Sequence, residues 1–299
     1  DGYILHDNPV RFSVETHGES PIVVSFFDQV AMGVIEIVKT GEVLWDTDVE
    51  ETEYGTLYRP LYEKRGLEGA SFEIIAAEDI YTPDHTRQAV KGEIVDTITT
   101  GADGKAKSTK LYLGRYGVRE VTTPPGFVRD TAVYAVELQY QDQTTEVVTE
   151  TVAMENRRQR AIVQVQKTAE QVVWCENGPQ YKYEPGEGFV FGLYAAQSYL
   201  SAQKETAIIP QDSLVDILIT GQDGSAMSKT DLPLGEYYLR ELDGPSGYGA
   251  ADAAYSVEAS YRGADTSEFI VTPRDEGGET MEIKNELIKK RIRVLKVED

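Results

Sequence analysis

The feature that most constrains this chain is that it repeats itself. Gly69-Ala-Ser-Phe-Glu-Ile-Ile-Ala-Ala77 returns as Gly188-Phe-Val-Phe-Gly-Leu-Tyr-Ala-Ala196, and Thr100-Gly-Ala-Asp-Gly104 as Thr220-Gly-Gln-Asp-Gly224. Leu113-Gly-Arg-Tyr-Gly-Val-Arg-Glu120 then returns as Leu234-Gly-Glu-Tyr-Tyr-Leu-Arg-Glu241, and Pro125-Gly-Phe127 as Ser246-Gly-Tyr248. Four anchors in one order, at a period of about 120 to 130 residues, imply two homologous domains. The ends fit the same pattern: Asp1-Gly-Tyr-Ile-Leu5 matches the Gly-aromatic anchor late in a repeat, and Arg291-Ile-Arg-Val-Leu-Lys296 matches an opening strand. The expected organisation is the last strands of a preceding domain (1–32), complete domains over 33–158 and 159–287, and the first strand of a following domain (288–299). The junctions, Arg157-Arg-Gln-Arg160 and Leu287-Ile-Lys-Lys290, are short, so an elongated rod is expected.

Inside each repeat the apolar residues alternate with a period of two and are rich in Val, Ile, Tyr and Thr, as in Val34-Ile-Glu-Ile-Val38, Tyr134 to Tyr140 and Tyr255 to Tyr261. That is the pattern of half-buried strands. Asp103-Gly104 and Asp223-Gly224 are expected hairpin turns with glycine at positive φ. Only the stretch 195–203 carries a weak helical pattern, expected as a short surface helix. The fold class is therefore all-β: tandem Ig-like or prealbumin-like β-sandwiches.

Strand parity exposes an anomaly. Lys39 is in step with Ile35 and Ile37, and Lys167 with Val163 and Val165, so both lysines are expected to face the core. The same parity puts Glu120 with Tyr116 and Val118, Glu241 with Tyr237 and Leu239, Asn156 with Val152 and Met154, and Asn285 with Met281 and Ile283. Two accounts stand. Each polar residue sits at a strand end, as a half-exposed ion pair and an asparagine bonded to a turn. Alternatively the trio is reactive, and its recurrence in both repeats favours this. A lysine desolvated among apolar side chains shifts toward the neutral, nucleophilic amine, and a glutamate there shifts toward the protonated form that moves protons. An asparagine held against both offers its carboxamide carbon for attack, with ammonia leaving, and gives a Lys-Asn isopeptide bond between the first and last strands.

This ordered set resembles the Cna B-type (prealbumin-like) repeats of Gram-positive surface adhesins and pilins. The residues that carry the resemblance are the lysine-bearing opening strands (Val34 to Lys39, Val163 to Lys167, Ile292 to Lys296), the glycine anchors at Gly69 and Gly188, the Gly-x-Asp-Gly turns, the Leu-Gly-x-Tyr-x-x-x-Glu strands, and the closing strands with Asn156 and Asn285. The resemblance implies two autocatalytic sites: Lys39, Glu120 and Asn156 in one, Lys167, Glu241 and Asn285 in the other, with each glutamate catalytic and single-turnover. It further implies partial sites at Asp28, on the inward parity of Val24 and Phe26, and at Lys296. Gly188-Phe-Val-Phe departs from the pattern by lacking the alanine.

Other signals point away from other chemistry. The chain carries 51 acidic and 29 basic side chains, a net charge of -22, which repels nucleic acid and anionic membrane surfaces. One cysteine, Cys175, leaves no intrachain disulfide. His6, His17 and His85 lack ligand spacing, so no metal or other cofactor is expected. The two Asp-Gly turns lack the alternating acids of a calcium loop, Leu232-Pro-Leu-Gly235 reads as a turn, and no apolar run is long enough to span a membrane. Trp45 and Trp174, shortly after the lysines, are expected to complete the apolar pockets, and 46–65, 82–95 and 176–187 to be loop insertions. The functional expectation is a stalk segment of an extracellular, cell-wall-anchored adhesin or pilus-like protein, monomeric as a fragment. The alternative is a module whose loops bind a host matrix or immune protein.

Overall fold

In the computed structural model the described residues are 2–5, 9–14, 21, 23–25, 28–203, 207–249, 252–275 and 278–290. The chain divides into two compact units, residues 1–41 with 64–157 and residues 42–63 with 158–299. The opening strand of the first repeat, Met32–Thr52, continues into a hairpin with Gly55–Gly66. Residues 42–63 of this hairpin are part of the second unit, where Leu44 and Tyr58 pack against the core and Leu57 stands beside Leu214 in parallel register.

The first unit is a sandwich of two sheets. In one, the opening strand pairs in parallel with the closing strand Val147–Asn156, from Met32 beside Val147 to Gly41 beside Asn156, and antiparallel with Lys105–Lys107 and Leu111–Tyr112. In the other, the order is Val133–Leu138, Gly114–Thr122, Ser71–Ala76, Ile94–Thr99, all antiparallel. Ile35, Ile37, Phe72, Ile74, Val118 and Tyr116 close the space between them.

The second unit repeats the plan. Arg160–Cys175 pairs in parallel with Glu268–Val271 and Ile283–Asn285 and antiparallel with Ser225–Met227, while Ala254–Ala259, Gly235–Asp243, Val190–Ala195 and Leu214–Ile219 form the facing sheet. Two opposed sheets with one inner face each account for the alternating burial along both opening strands and Ser71–Ala76, whereas Val190–Ala195 is buried at every position but Tyr194. Parallel pairing of the first and last strands is the consequential feature, because it brings residues more than a hundred positions apart into one neighbourhood.

Three expectations are corrected. No described residue is helical. Within 195–203, Tyr199–Leu200 is a short strand paired to Ala207–Ile209, because Tyr199 is drawn into the core and stacks on Tyr237 with ring centroids 5.4 Å apart. The segments 46–65 and 176–187 are largely strand rather than loop, forming long hairpins with Gly55–Gly66 and Gly178–Pro185. Trp174 completes no pocket: it is 78% exposed, one residue from the hairpin tip at Cys175 and Gly178, and Trp45 is only half-buried.

These positions separate core from surface. Ile37→Ala should cost about 2–5 kcal/mol by leaving a cavity in the closed sandwich, whereas Trp174→Ala should stay within about 0.5 kcal/mol. Urea denaturation of the two variants checks both; equal losses would contradict the placement of Trp174.

Candidate functional site

The strand parities place all six expected residues inside. Lys39 and Lys167 are both 0% exposed, and Glu120, Asn156, Glu241 and Asn285 are buried. Each lysine arrives on the opening strand, each asparagine on the parallel closing strand and each glutamate on the facing sheet.

In the first unit Lys39 Nζ lies 3.3 Å from Glu120 Oε2, and the Asn156 amide Nδ2 donates to Glu120 Oε1 at 2.7 Å. In the second unit Lys167 Nζ lies 3.0 Å from Glu241 Oε2, and Asn285 Nδ2 donates to Glu241 Oε1 at 2.6 Å. One carboxylate thus touches both the amine and the amide nitrogen, in the same atom-by-atom pattern twice. Lys167 also donates to Asn285 Oδ1 at 2.5 Å, while Asn156 Oδ1 is buried with no hydrogen-bond partner. A buried acceptor left unpaired costs about 1–3 kcal/mol, so the first site is the less satisfied of the two.

The pockets are aromatic, although the tryptophans are not their walls. Phe72 lies under Lys39 Nζ with its centroid at 5.6 Å, and Phe189 and Phe191 flank Lys167 Nζ at 4.6 and 5.6 Å. Burial holds both lysines below the ordinary amine value, opposed by the charge and hydrogen bond of the paired glutamate. The net direction is toward the neutral amine, the nucleophilic form.

Sequence reasoning missed what fixes the lysine backbone. The amide of Lys39 donates to the Gly104 carbonyl at 2.8 Å and its carbonyl accepts from Leu67 N at 3.0 Å; Lys167 does the same with Gly224 and Gly186. Thr100 and Thr220, the first residues of the repeated turn motif, hold the other side, their hydroxyls donating to the carbonyls of Leu67 and Gly186 at 2.6 Å. The turn glycines sit at φ 74° and 73°, and a Cβ there would come within 2.4 Å of Lys39 O and 2.2 Å of Lys167 O. The signal was present in the recurring Thr-Gly-x-Asp-Gly motif, but its partner is distant in sequence and reads only as a hairpin turn.

Asp28, expected on an inward face, is exposed and immediately precedes the two-residue strand Gln29–Val30. Among the described residues no third sandwich covers it. Lys296, the strand that bears it, His6, His17 and Phe26 lie outside the described residues. No cluster of His, Cys, Asp or Glu able to hold a metal ion occurs among the described residues, and none of their helices could cross a membrane, since none exists.

The model of the SpaA family, a prealbumin-like fold domain, matches twice, at residues 62–153 and 181–272. The matched stretches contain Glu120 and Glu241 but neither the lysines nor the asparagines. Among solved structures the Bacillus anthracis TIE protein is similar at 19% identity and a TM-score of 0.50, over 87% of this chain and 35% of that one; the chain spans about a third of its length. Two pilins also match, each at low global superposition. One is GBS52, the minor pilin of Streptococcus agalactiae, with 16% identity, TM-score 0.28, and coverage of 88% of this chain and 100% of that one. The other is the SpaE basal pilin of Lactobacillus rhamnosus GG, with 17% identity, TM-score 0.34, and coverage of 86% and 99%. Comparison with curated proteins gives no match.

The turn glycines give a test of the site's scaffold. Gly104→Ala meets both a left-handed φ and a carbonyl, whereas Gly69→Ala meets only the φ, with nothing within 4 Å. The second should cost about 1–2 kcal/mol and the first clearly more, read as the shift in urea midpoint. Equal costs would mean that the turn does not clamp Lys39.

Proposed function

Since this chain belongs to the SpaA family of prealbumin-like fold domains, we propose that it is a structural segment of a Gram-positive surface adhesin or pilus-like protein, whose two sandwiches each close with a self-formed Lys-Asn isopeptide bond. The bonds join Lys39 to Asn156 and Lys167 to Asn285. The observation that carries this reading is the bridging carboxylate: Glu120 and Glu241 each contact the attacking nitrogen through one oxygen and the departing nitrogen through the other.

The chemistry balances on these groups alone. The lysine ammonium passes a proton to the glutamate, and the resulting amine attacks Cγ of the asparagine. In the tetrahedral adduct the amine nitrogen gives up protons as Nδ2 gains them through the same carboxyl group. The Cγ–Nδ2 bond then breaks, ammonia departs as ammonium, and the carboxylate is restored. Burial among phenylalanines keeps water from competing and holds the reactants at contact distance, so proximity supplies what a separate catalyst otherwise would. Each site acts once, so the protein is a product of its own reaction rather than a turnover enzyme.

A bond between the first and last strands suits a stalk. Tension applied along the chain enters one terminal strand and leaves by the other, and a covalent tie carries it past the sandwich. The extracellular, wall-attached setting follows from this role and is proposed with it, as is assembly with other surface subunits in preference to a soluble substrate.

Intact-mass spectrometry of the purified chain should show a deficit of two ammonia molecules against the sequence mass, and fragmentation should recover linked peptides containing Lys39 with Asn156 and Lys167 with Asn285. A chain at its full sequence mass would sink the proposal. Glu120→Ala should retain the fold but show a deficit of one ammonia. It should also lower the stability of the first unit by about 4–5 kcal/mol, the loop-closure entropy of a tie enclosing more than a hundred residues, by analogy with disulfides. A Glu120→Ala chain that still lost two ammonia molecules would assign the proton transfer to another group.

A further inference from the structure

The two trios share a plan but not the groups around it. Lys167 Nζ lies against Glu241 and also donates to Asn285 Oδ1, the carbonyl oxygen of the amide it is to attack. Lys39 Nζ pairs with Glu120 at the longer distance of 3.3 Å, and the matching oxygen, Asn156 Oδ1, has no hydrogen-bond partner. The second amine is therefore already seated on its amide, and the first is not.

Glu120 has a further partner. The Asp130 amide donates at 2.9 Å to Glu120 Oε2, the oxygen that faces Lys39. The Asp130 carboxylate is fixed in turn, accepting from the Tyr134 hydroxyl at 2.6 Å and from Ala132 N at 2.9 Å. Burial alone would raise this carboxyl, but those two hydrogen bonds and the Lys39 charge together hold it below the ordinary value, so it is ionised. Tyr134 stands beside Val118 and Tyr255 beside Leu239, in matching register. The tyrosine thus recurs, whereas the residue ten positions after Glu241 is Ala251, which has no carboxyl group.

These differences act on one step. Attack requires the lysine proton to pass to the glutamate. An N–H held on the carboxylate favours its charged form, and a second negative charge nearby favours the ammonium. Burial lowers the Lys39 amine and Glu120 opposes this, with the charges of Asp130 and Glu155 adding to the opposition; at Lys167 the opposition comes from Glu241. Each addition stabilises the unreacted ion pair over the neutral pair that reacts. Glu155 is exposed and paired with Lys64, while Asp130 is half-buried and bonded to the site itself.

We infer, on the isopeptide reading, that the two bonds form in a fixed order, Lys167 with Asn285 before Lys39 with Asn156, and that Asp130 is the positioning residue that sets the delay. It holds Glu120 in place but charged, so the first sandwich folds around an ion pair and closes later. The second closes soon after it folds, because its amine touches the amide from the start.

The full chain, recovered unfolded in urea at its full sequence mass, tests this on dilution into buffer with samples quenched in acid over time. Intact mass should show one ammonia lost and then another, and peptide mapping should place the early loss at Asn285. A hydrogen-exchange pulse on the same samples dates the folding of each unit, so each bond is timed from its own folded state. Asp130→Asn keeps the backbone N–H and removes the charge; it should speed the first bond by roughly fivefold and leave the second unchanged. Asp130→Ser, another neutral acceptor, should do the same. A residue that only shaped its loop would slow the first bond or leave it unaltered when replaced, and either result would overturn the inference. Equal rates at the two sites of the unsubstituted chain, or Asn156 reacting first, would also overturn it while leaving the isopeptide reading intact. No ammonia lost at either site would remove that reading, and this order with it.

Discussion

Everything distinctive about this protein depends on an ion pair placed where water cannot reach it. Taking a lysine and a glutamate out of water costs several kcal/mol per ion, and their mutual attraction returns that cost only with good geometry and further hydrogen bonds. Here the geometry is good but incomplete: Glu120 and Glu241 are shared with an asparagine amide, and Asn156 Oδ1 has no partner. An apolar trio of similar volume would pack the same sandwich more simply. A buried arrangement that is costly, built twice and under-satisfied in the first copy is better explained by what it converts to than by what it holds together. In the proposed product the buried ammonium is gone, the lysine and the asparagine being replaced by one neutral amide, and the restored carboxylate keeps a partner in that amide.

The architecture supplies the placement that the chemistry needs. Parallel pairing of the first and last strands sets Met154 beside Lys39 and Ile283 beside Lys167, so each asparagine stands two residues further along the neighbouring strand from that contact. The facing sheet contributes the carboxylate from above. Beneath the lysine, a glycine turn with no room for a side chain clamps the backbone on one side, and a threonine hydroxyl fixes the loop that clamps it on the other. Rigid strands and close-packed phenylalanines leave the three functional groups few alternatives to contact.

Much of this was legible because strand periodicity is a strong code. A residue two positions beyond Ile37 on a strand must point the way Ile37 points, so the burial of Lys39 followed from parity alone, as did that of Glu120 beyond Val118 and Asn156 beyond Met154. What parity cannot give is depth or partner. The tryptophans were expected in the pockets from their nearness in sequence, yet the opening strand runs out of the core into a hairpin before reaching Trp174, and the aromatic walls come from Phe72, Phe189 and Phe191 on the facing sheet. The weak helical pattern over 195–203 failed because one side chain, Tyr199, gains more from burial against Tyr237 than a short isolated helix gains from its own hydrogen bonds. The packing of hairpin 42–63 with the second unit was not readable, since nothing local says which surface will cover Leu57.

The central claim is that a covalent tie spans each sandwich from its first strand to its last, and force measures it most directly. In single-molecule stretching of the chain from its two ends, the tie from Lys167 to Asn285, 118 residues apart, removes the enclosed segment from the extensible length, as its counterpart does in the first unit. The account predicts that neither unit releases its interior at any force short of breaking a covalent bond. Unfolding steps that each lengthen the chain by about 400 Å, the extended span of the enclosed residues at roughly 3.3–3.6 Å each, would contradict it.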